Sequence, residues 1–204
     1  LPLRERQSDW SEPVLSALRN VIDSGHLGYP MIPDEYYNAI HDWLLRISGW
    51  DIDTRCCVAQ NSGIYMAAWS VLQLLTRQGD MVAFLSPVHF CFREILNLNG
   101  RKPIECPLIL KGSTYEIDFN SLEACLACGT KVLWLCNPHN PVGRVWTKEE
   151  LQRIAELCIK YKIYILSDDV YCGLIFPGKK YTPVASLSKE VSYYTVTLYS
   201  TSKS

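Results

Sequence analysis

The chain has 204 residues, 48% of them hydrophobic and 20% charged, and a formal net charge of −1 from 20 basic and 21 acidic side chains. That is enough chain for one domain with a sizeable core, and the balanced charge leaves no footprint for nucleic acid or an anionic membrane. No apolar run reaches the roughly 18–20 residues that span a bilayer. The first ten residues carry Arg4, Glu5, Arg6 and Asp9, unlike a secretory leader, so the expected compartment is cytoplasmic. The chain does not open on Met and is expected to begin inside a longer reading frame.

In chain order, Glu12–Ser24 and Asp34–Ser48 show the apolar spacing of amphipathic helices, and residues 64–76 predict a third, after Asn61-Ser62-Gly63. Residues 81–85 form a short apolar strand. Residues 90–99 suggest a helix stopped by Gly100. Nine cysteines in a chain without secretory features read as reduced thiols. Cys125 and Cys128 form one C-x-x-C, read as a helix face rather than a zinc site. Residues 131–136 read as a buried strand, Thr147 and Glu150 as a capping box for a helix to about Tyr161, and residues 163–166 and 194–198 as further strands. Strands alternating with helices imply an α/β fold with a mostly parallel sheet flanked by helices. Ligands gather at the C-terminal ends of such strands. Three polar clusters fall there: residues 137–143, 168–171 and 200–203.

Nucleotide motifs do not fit. There is no G-x-G-x-x-G, and Gly173 to Lys180 fails as a P-loop because Lys180 stands where Ser or Thr should take magnesium; Pro177-Gly178 reads as a turn. No metal site is expected. The clusters do offer what pyridoxal 5′-phosphate chemistry needs: a lysine for a Schiff base, a carboxylate for the pyridine nitrogen, donors for the ring oxygen, and amides at a helix start for the phosphate.

The run from Asn137 to Thr147 (NPHNPVGRVWT) resembles the signature of class I/II aminotransferases of the pyridoxal-phosphate-dependent fold type I, and its R-V-W-T ending is most similar to the MalY/PatB-type cystathionine β-lyase (carbon–sulfur lyase) branch. Ser167-Asp168-Asp169-Val170-Tyr171 and Ser200-Thr201-Ser202-Lys203 resemble that branch's S-D-E-I-H and S-x-S-K, and Leu1-Pro2 and Gly28-Tyr29 fall where it has L-P and G-Y.

The resemblance implies a PLP-transferase-like large domain, residues 28–204, incomplete and truncated before a small C-terminal domain, with residues 1–27 belonging to the small domain of relatives. It implies that Lys203 carries the cofactor and shuttles the Cα proton, and that Asp168 pairs with the pyridine nitrogen. Tyr171 and Asn140 would donate to the ring oxygen. Ser62, Gly63, Ile64 and Ser200 would hold the phosphate. Tyr29 would reach the phosphate of a neighbouring subunit, which requires a homodimer. His89 stands where relatives carry a ring-stacking tyrosine, and the stretch from Arg4 to Trp10 departs from the branch's W-x-A-D-M-D-F. The implied activity is β-elimination from cystathionine or a cysteine S-conjugate, giving thiol, pyruvate and ammonia. An aminotransferase uses the same residues, and a non-catalytic homologue is the reading from another class. The chain is expected to be the N-terminal half of a longer product. The arginine that clamps the substrate carboxylate would lie in the remainder, and residues 1–204 alone are expected to aggregate or turn over slowly.

Overall fold

A computed structural model describes residues 11–25, 28, 31–60 and 62–203. They fall into two compact units, the first ending at Tyr36 and the second running from Tyr37. Helix α1 (Glu12–Ser24) starts with Pro13 in its first turn, ends at Gly25 in the left-handed conformation (φ 66°), and buries no residue. Helix α2 (Asp34–Ser48) carries Asp34 and Glu35 in its first turn and Arg46 in its last, matching the helix dipole at both ends.

The remaining elements are α3 (Gly63–Leu75), β1 (Met81–Ser86), α4 (Cys91–Leu98), β2 (Lys102–Pro107), β3 (Ile109–Lys111), β4 (Thr114–Glu116), α5 (Phe119–Ala127), β5 (Val132–Cys136), α6 (Lys148–Lys160), β6 (Tyr164–Asp168), α7 (Lys189–Tyr193) and β7 (Thr195–Leu198). Five strands form one parallel sheet in the order β2-β1-β5-β6-β7. All five residues of β5 are buried, as a central strand covered on both faces requires. Its side chains alternate. Leu133 and Leu135 join a cluster with Leu122, Leu126, Leu151 and Ile154 of α5 and α6; Val132, Trp134 and Cys136 join one with Ala68, Leu72, Phe92 and Ile95 of α3 and α4. A third cluster gathers Leu44 of α2 with Cys172 and Tyr181.

The capping box forms: Thr147 Oγ1 accepts from the Glu150 amide at 3.2 Å, and Glu150 accepts from the Thr147 amide at 2.8 Å. Cys128 lies just past the end of α5 rather than within it, its thiol donating to the Cys125 carbonyl at 3.0 Å. Pro177-Gly178 makes the expected turn, with Gly178 at φ 79° and the Lys179 amide donating to the Phe176 carbonyl at 3.1 Å.

Three strands carry no clear pattern in the sequence. β2 contains Pro103 and Pro107, which argue against a strand except at a sheet edge, and an edge is where it lies. β3 and β4 form a hairpin of three-residue strands closed by Gly112 and Ser113. Among the described residues no helix is long and apolar enough to cross a membrane.

The chain order reverses between β1 and β5. β1 is followed by β2 on one side of it, while β5, β6 and β7 extend on the other. The crevice at the C-terminal ends of such a pair is the usual ligand site of an open parallel sheet. Thr147→Ala removes the side-chain half of the α6 cap, so the urea unfolding midpoint should drop by the equivalent of about 1 kcal/mol. An unchanged midpoint would mean that the box contributes nothing.

Candidate active site

The loops after β1 and β5 meet at this reversal. The His89 amide donates to the Asn140 carbonyl at 3.0 Å, and buried His139 places Nε2 3.0 Å from the Pro87 carbonyl. The second loop is held from beneath by its own buried polar groups. Asn137 Oδ1 accepts from the Trp146 amide at 3.2 Å and its Nδ2 donates to the Thr182 carbonyl at 3.1 Å; the Trp146 indole donates to the Cys136 carbonyl at 3.0 Å. Burial lowers the pKa of His139, and the Pro87 and Cys136 carbonyls at its two ring nitrogens act in the opposite direction. The first Asn and the His of the N-P-H-N-P run thus serve as the frame of the loop, and its second Asn is only partly buried, with its side-chain amide turned to Tyr171. The sequence motif displays all three without separating these roles.

Asp168 ends β6, next to β5, with its carbonyl accepting from the Asn137 amide at 3.0 Å. Its carboxylate is 6% exposed, accepts one backbone hydrogen bond, from Val170 at 3.3 Å, and has no cationic partner among the described residues. Burial raises its pKa to about 6. Asp169 beside it is also buried, and its pKa rises to about 7, again through burial, although Ser167 Oγ donates to it at 2.5 Å and the Tyr181 hydroxyl donates to its other oxygen. Sequence reasoning assigned Asp169 and Tyr181 no role. Here they form a closed network behind Asp168, and Asp169 was visible only as the second acid of a pair.

Turn bonds from Cys172 to Asp169 (3.0 Å) and from Leu174 to Tyr171 (2.9 Å) fix the segment after β6. They bring Tyr171 to Asn140, whose Nδ2 donates to the phenol oxygen at 3.5 Å. That bond leaves the second amide hydrogen and the phenol hydrogen free to converge on one further acceptor. Cys91 and Cys136 lie within the electrostatic reach of Asp168, and burial raises both thiols, Cys91 to about 11. His89 is bonded through Nδ1 to Cys91 Sγ at 2.9 Å, which places it on the same constellation.

The phosphate candidates are arranged less tightly. Ser62 is the N-cap of α3 and makes no side-chain capping bond. Gly63 stands at φ 77°, a conformation suited to glycine, and Ile64 packs against the α3 and α4 core cluster. The first amides of α3 therefore have no side-chain acceptor at the cap. Ser200 Oγ bonds Ser202, accepting from its amide at 3.2 Å. Lys203 is exposed on the single helical turn Thr201–Lys203, five residues beyond Leu198, the partner of Asp168 on β7. Among the described residues nothing binds its Nζ, so the structure does not bring it into the Asp168 cluster. Tyr29 lies outside the described residues, as does the stretch from Arg4 to Trp10.

The arrangement suits a planar ring that carries a protonated nitrogen and an acceptor oxygen. A buried, unpaired carboxylate is costly, and a cationic ring nitrogen would offset that cost. The chain belongs to the aminotransferase class I and II family, whose model matches residues 11–204. This family depends on pyridoxal 5′-phosphate, and the donor set at Asp168, Asn140 and Tyr171 fits that cofactor. The chain is 33% identical to the cystathionine β-lyase PatB of Bacillus subtilis, covering all of this chain and 53% of that one. It is 34% identical to human kynurenine–oxoglutarate transaminase 3 over 66% of this chain and 32% of that protein. Among solved structures it superposes on cystalysin from Treponema denticola, which contains pyridoxal 5′-phosphate, with a TM-score of 0.91 and 33% identity over 95% of this chain and 49% of that one. The chain thus spans about half the length of the relatives it matches.

The unpaired carboxylate sets a test. Its folded pKa lies above the unfolded value of 3.8, so the protonated form is favoured by folding; that contribution is complete below pH 3.8 and is lost as pH rises through about 6. Without cofactor, Asp168→Asn should therefore stabilise the protein at pH 8, by up to about 3 kcal/mol in urea unfolding, with the difference shrinking to about 0.5 kcal/mol at pH 4. A variant less stable than wild type at pH 8 would show that the carboxylate already has a partner.

Proposed function

We propose that the protein containing this sequence is a carbon–sulfur β-lyase dependent on pyridoxal phosphate, acting on cystathionine or a cysteine S-conjugate and releasing thiol, pyruvate and ammonia. The observation that carries the site assignment is the buried, unpaired Asp168 beside the Asn140–Tyr171 pair. The preference for a lyase rests on the similarity to cystathionine β-lyase PatB and cystalysin, and on the R-V-W-T ending of the loop that holds Asn140.

The bound cofactor supplies an aldehyde that captures the substrate amine and a ring that accepts electrons from the substrate Cα. Asp168 would keep the ring nitrogen protonated, and among the described residues its carboxylate has no other cation to serve. Asn140 and Tyr171 each donate one hydrogen to the ring oxygen. His89 would lie against the ring face. Ser62, Gly63 and Ile64 offer amides at the start of α3, and Ser200 a hydroxyl, to the phosphate. Lys203 would hold the cofactor covalently, and its Nζ would move the proton at the substrate Cα. Tyr29 serves the site of a second copy in a homodimer.

The second reading, an aminotransferase, is favoured by the transaminase similarity and would use the same residues. Incubation with cystathionine separates them. Pyruvate formed without any added 2-oxo acid is expected for the lyase, and strict dependence on a 2-oxo acid would establish the transaminase. Borohydride reduction with bound cofactor should attach the pyridoxyl group to the peptide containing Lys203. Lys203→Ala should abolish that attachment and lower turnover by at least about 10²-fold. Attachment at another lysine would overturn the assignment.

A further inference from the structure

We propose that Cys91 is a positioning residue for His89: its thiol donates a hydrogen bond to Nδ1, which fixes the ring and places the neutral imidazole's proton on Nε2. The proposal rests on the preceding reading only in taking His89 to lie against the cofactor ring; the bond itself is a property of the chain.

The geometry is direct. Cys91 Sγ lies 2.9 Å from His89 Nδ1, two residues away, at the first position of α4. The rest of His89 is held by other groups: its amide donates to the Asn140 carbonyl at 3.0 Å, and the Phe90 ring stands 4.5 Å from it at 34°. Of the polar positions on the imidazole, only Nε2 has no partner among the described residues.

The direction of the bond follows from what surrounds the sulfur. Cys91 is partly buried and feels the negative charge of Asp168 and Glu94, as the buried thiol of Cys136 feels that of Asp168. Burial and these two acids all disfavour a thiolate, so the sulfur keeps its proton. A protonated thiol can donate to a bare Nδ1 or accept from Nδ1–H, and since imidazole nitrogen is the better acceptor and thiol sulfur the poorer one, donation from sulfur is the arrangement we assign, with the neutral ring's proton on Nε2. The opposite arrangement, a thiolate paired with an imidazolium, would set a negative sulfur among two carboxylates. It would also lay a cationic ring against a cofactor whose nitrogen Asp168 keeps protonated. The neutral ring avoids that repulsion, and its Nε2–H remains available to a bound ligand.

The chain has four histidines, His26, His41, His89 and His139, so selective ¹⁵N labelling gives a tractable spectrum. The experiment is a long-range ¹H–¹⁵N correlation on histidine-labelled protein without cofactor at mildly alkaline pH, with His89 assigned by loss of its signals in His89→Phe. Wild type is expected to show a single Nε2–H tautomer with Nδ1 shielded by an accepted hydrogen bond. Cys91→Ser, which retains a donor, should keep that signature. Cys91→Ala should lose the shielding and raise the Nδ1–H fraction about fivefold, the change set by losing one ordinary neutral hydrogen bond. With cofactor added, the visible circular dichroism should change in Cys91→Ala and be restored in Cys91→Ser. Two protonated ring nitrogens in wild type, a dominant Nδ1–H tautomer, or a His89 spectrum unmoved by Cys91→Ala would each overturn the proposal. Failure of wild type to bind the cofactor would instead count against the functional reading and leave the tautomer result standing.

Discussion

Asp168 is 6% exposed, its carboxylate accepts a single amide hydrogen bond, and among the described residues no cation pairs with it, a state that the stability of the chain alone does not explain. Burial of a charge is tolerated when a partner repays the lost hydration, and otherwise the group is driven toward its neutral form. Asp168 shows that second behaviour, with a pKa raised to about 6. The fold does not relieve it. β6 is the neighbour of the central strand, so Asp168 is fixed at the sheet's C-terminal end between the loops that follow β5 and β7. Asp169, which could have shared a proton with it, is instead committed to Ser167 and Tyr181. The protein maintains one acid in a costly state, with the second acid beside it satisfied by Ser167 and Tyr181.

Everything else at the site is arranged around that acid. The loop from Asn137 to Gly143 is locked by bonds from Asn137, His139 and Trp146, which leaves Asn140 as the side chain with hydrogens to spare. Tyr171, brought round by the turn after β6, meets it at 3.5 Å. From the other side of the crevice, the loop after β1 contributes His89 and Cys91. These groups come from three separate stretches of chain, and the reversal of strand order between β1 and β5 is what makes a crevice for them.

Much of this was legible in the residues. Both early helices appear with the bounds their apolar spacing predicts, and the buried strands at 132–136 and 164–168 match their uninterrupted apolar runs to within one or two residues. The strands that escaped notice lack such a pattern: β2 is interrupted by prolines tolerated only at an edge, and β3 and β4 are three residues each. At the site, the family resemblance picked out Asp168, Asn140 and Tyr171, which the structure places at the end of β6 and in the loops after β5 and β6. The partnership of Cys91 with His89 could not, because a cysteine opening a helix has the same appearance whether its thiol faces solvent, core or imidazole. Nor could the division of labour between Asp168 and Asp169, which depends on Tyr181, twelve residues away, reaching back to one carboxylate and not the other.

The central claim is that Asp168 is reserved for a protonated ring nitrogen. It is tested most directly by comparing the affinity of the protein for pyridoxal phosphate with that for an analogue in which a C–H replaces the ring nitrogen. Wild type should favour the natural cofactor at least about tenfold, the ratio that one charge-assisted hydrogen bond supplies, and Asp168→Asn should lose most of that preference. Equal affinities in wild type, or a preference that survives in Asp168→Asn, would contradict the account.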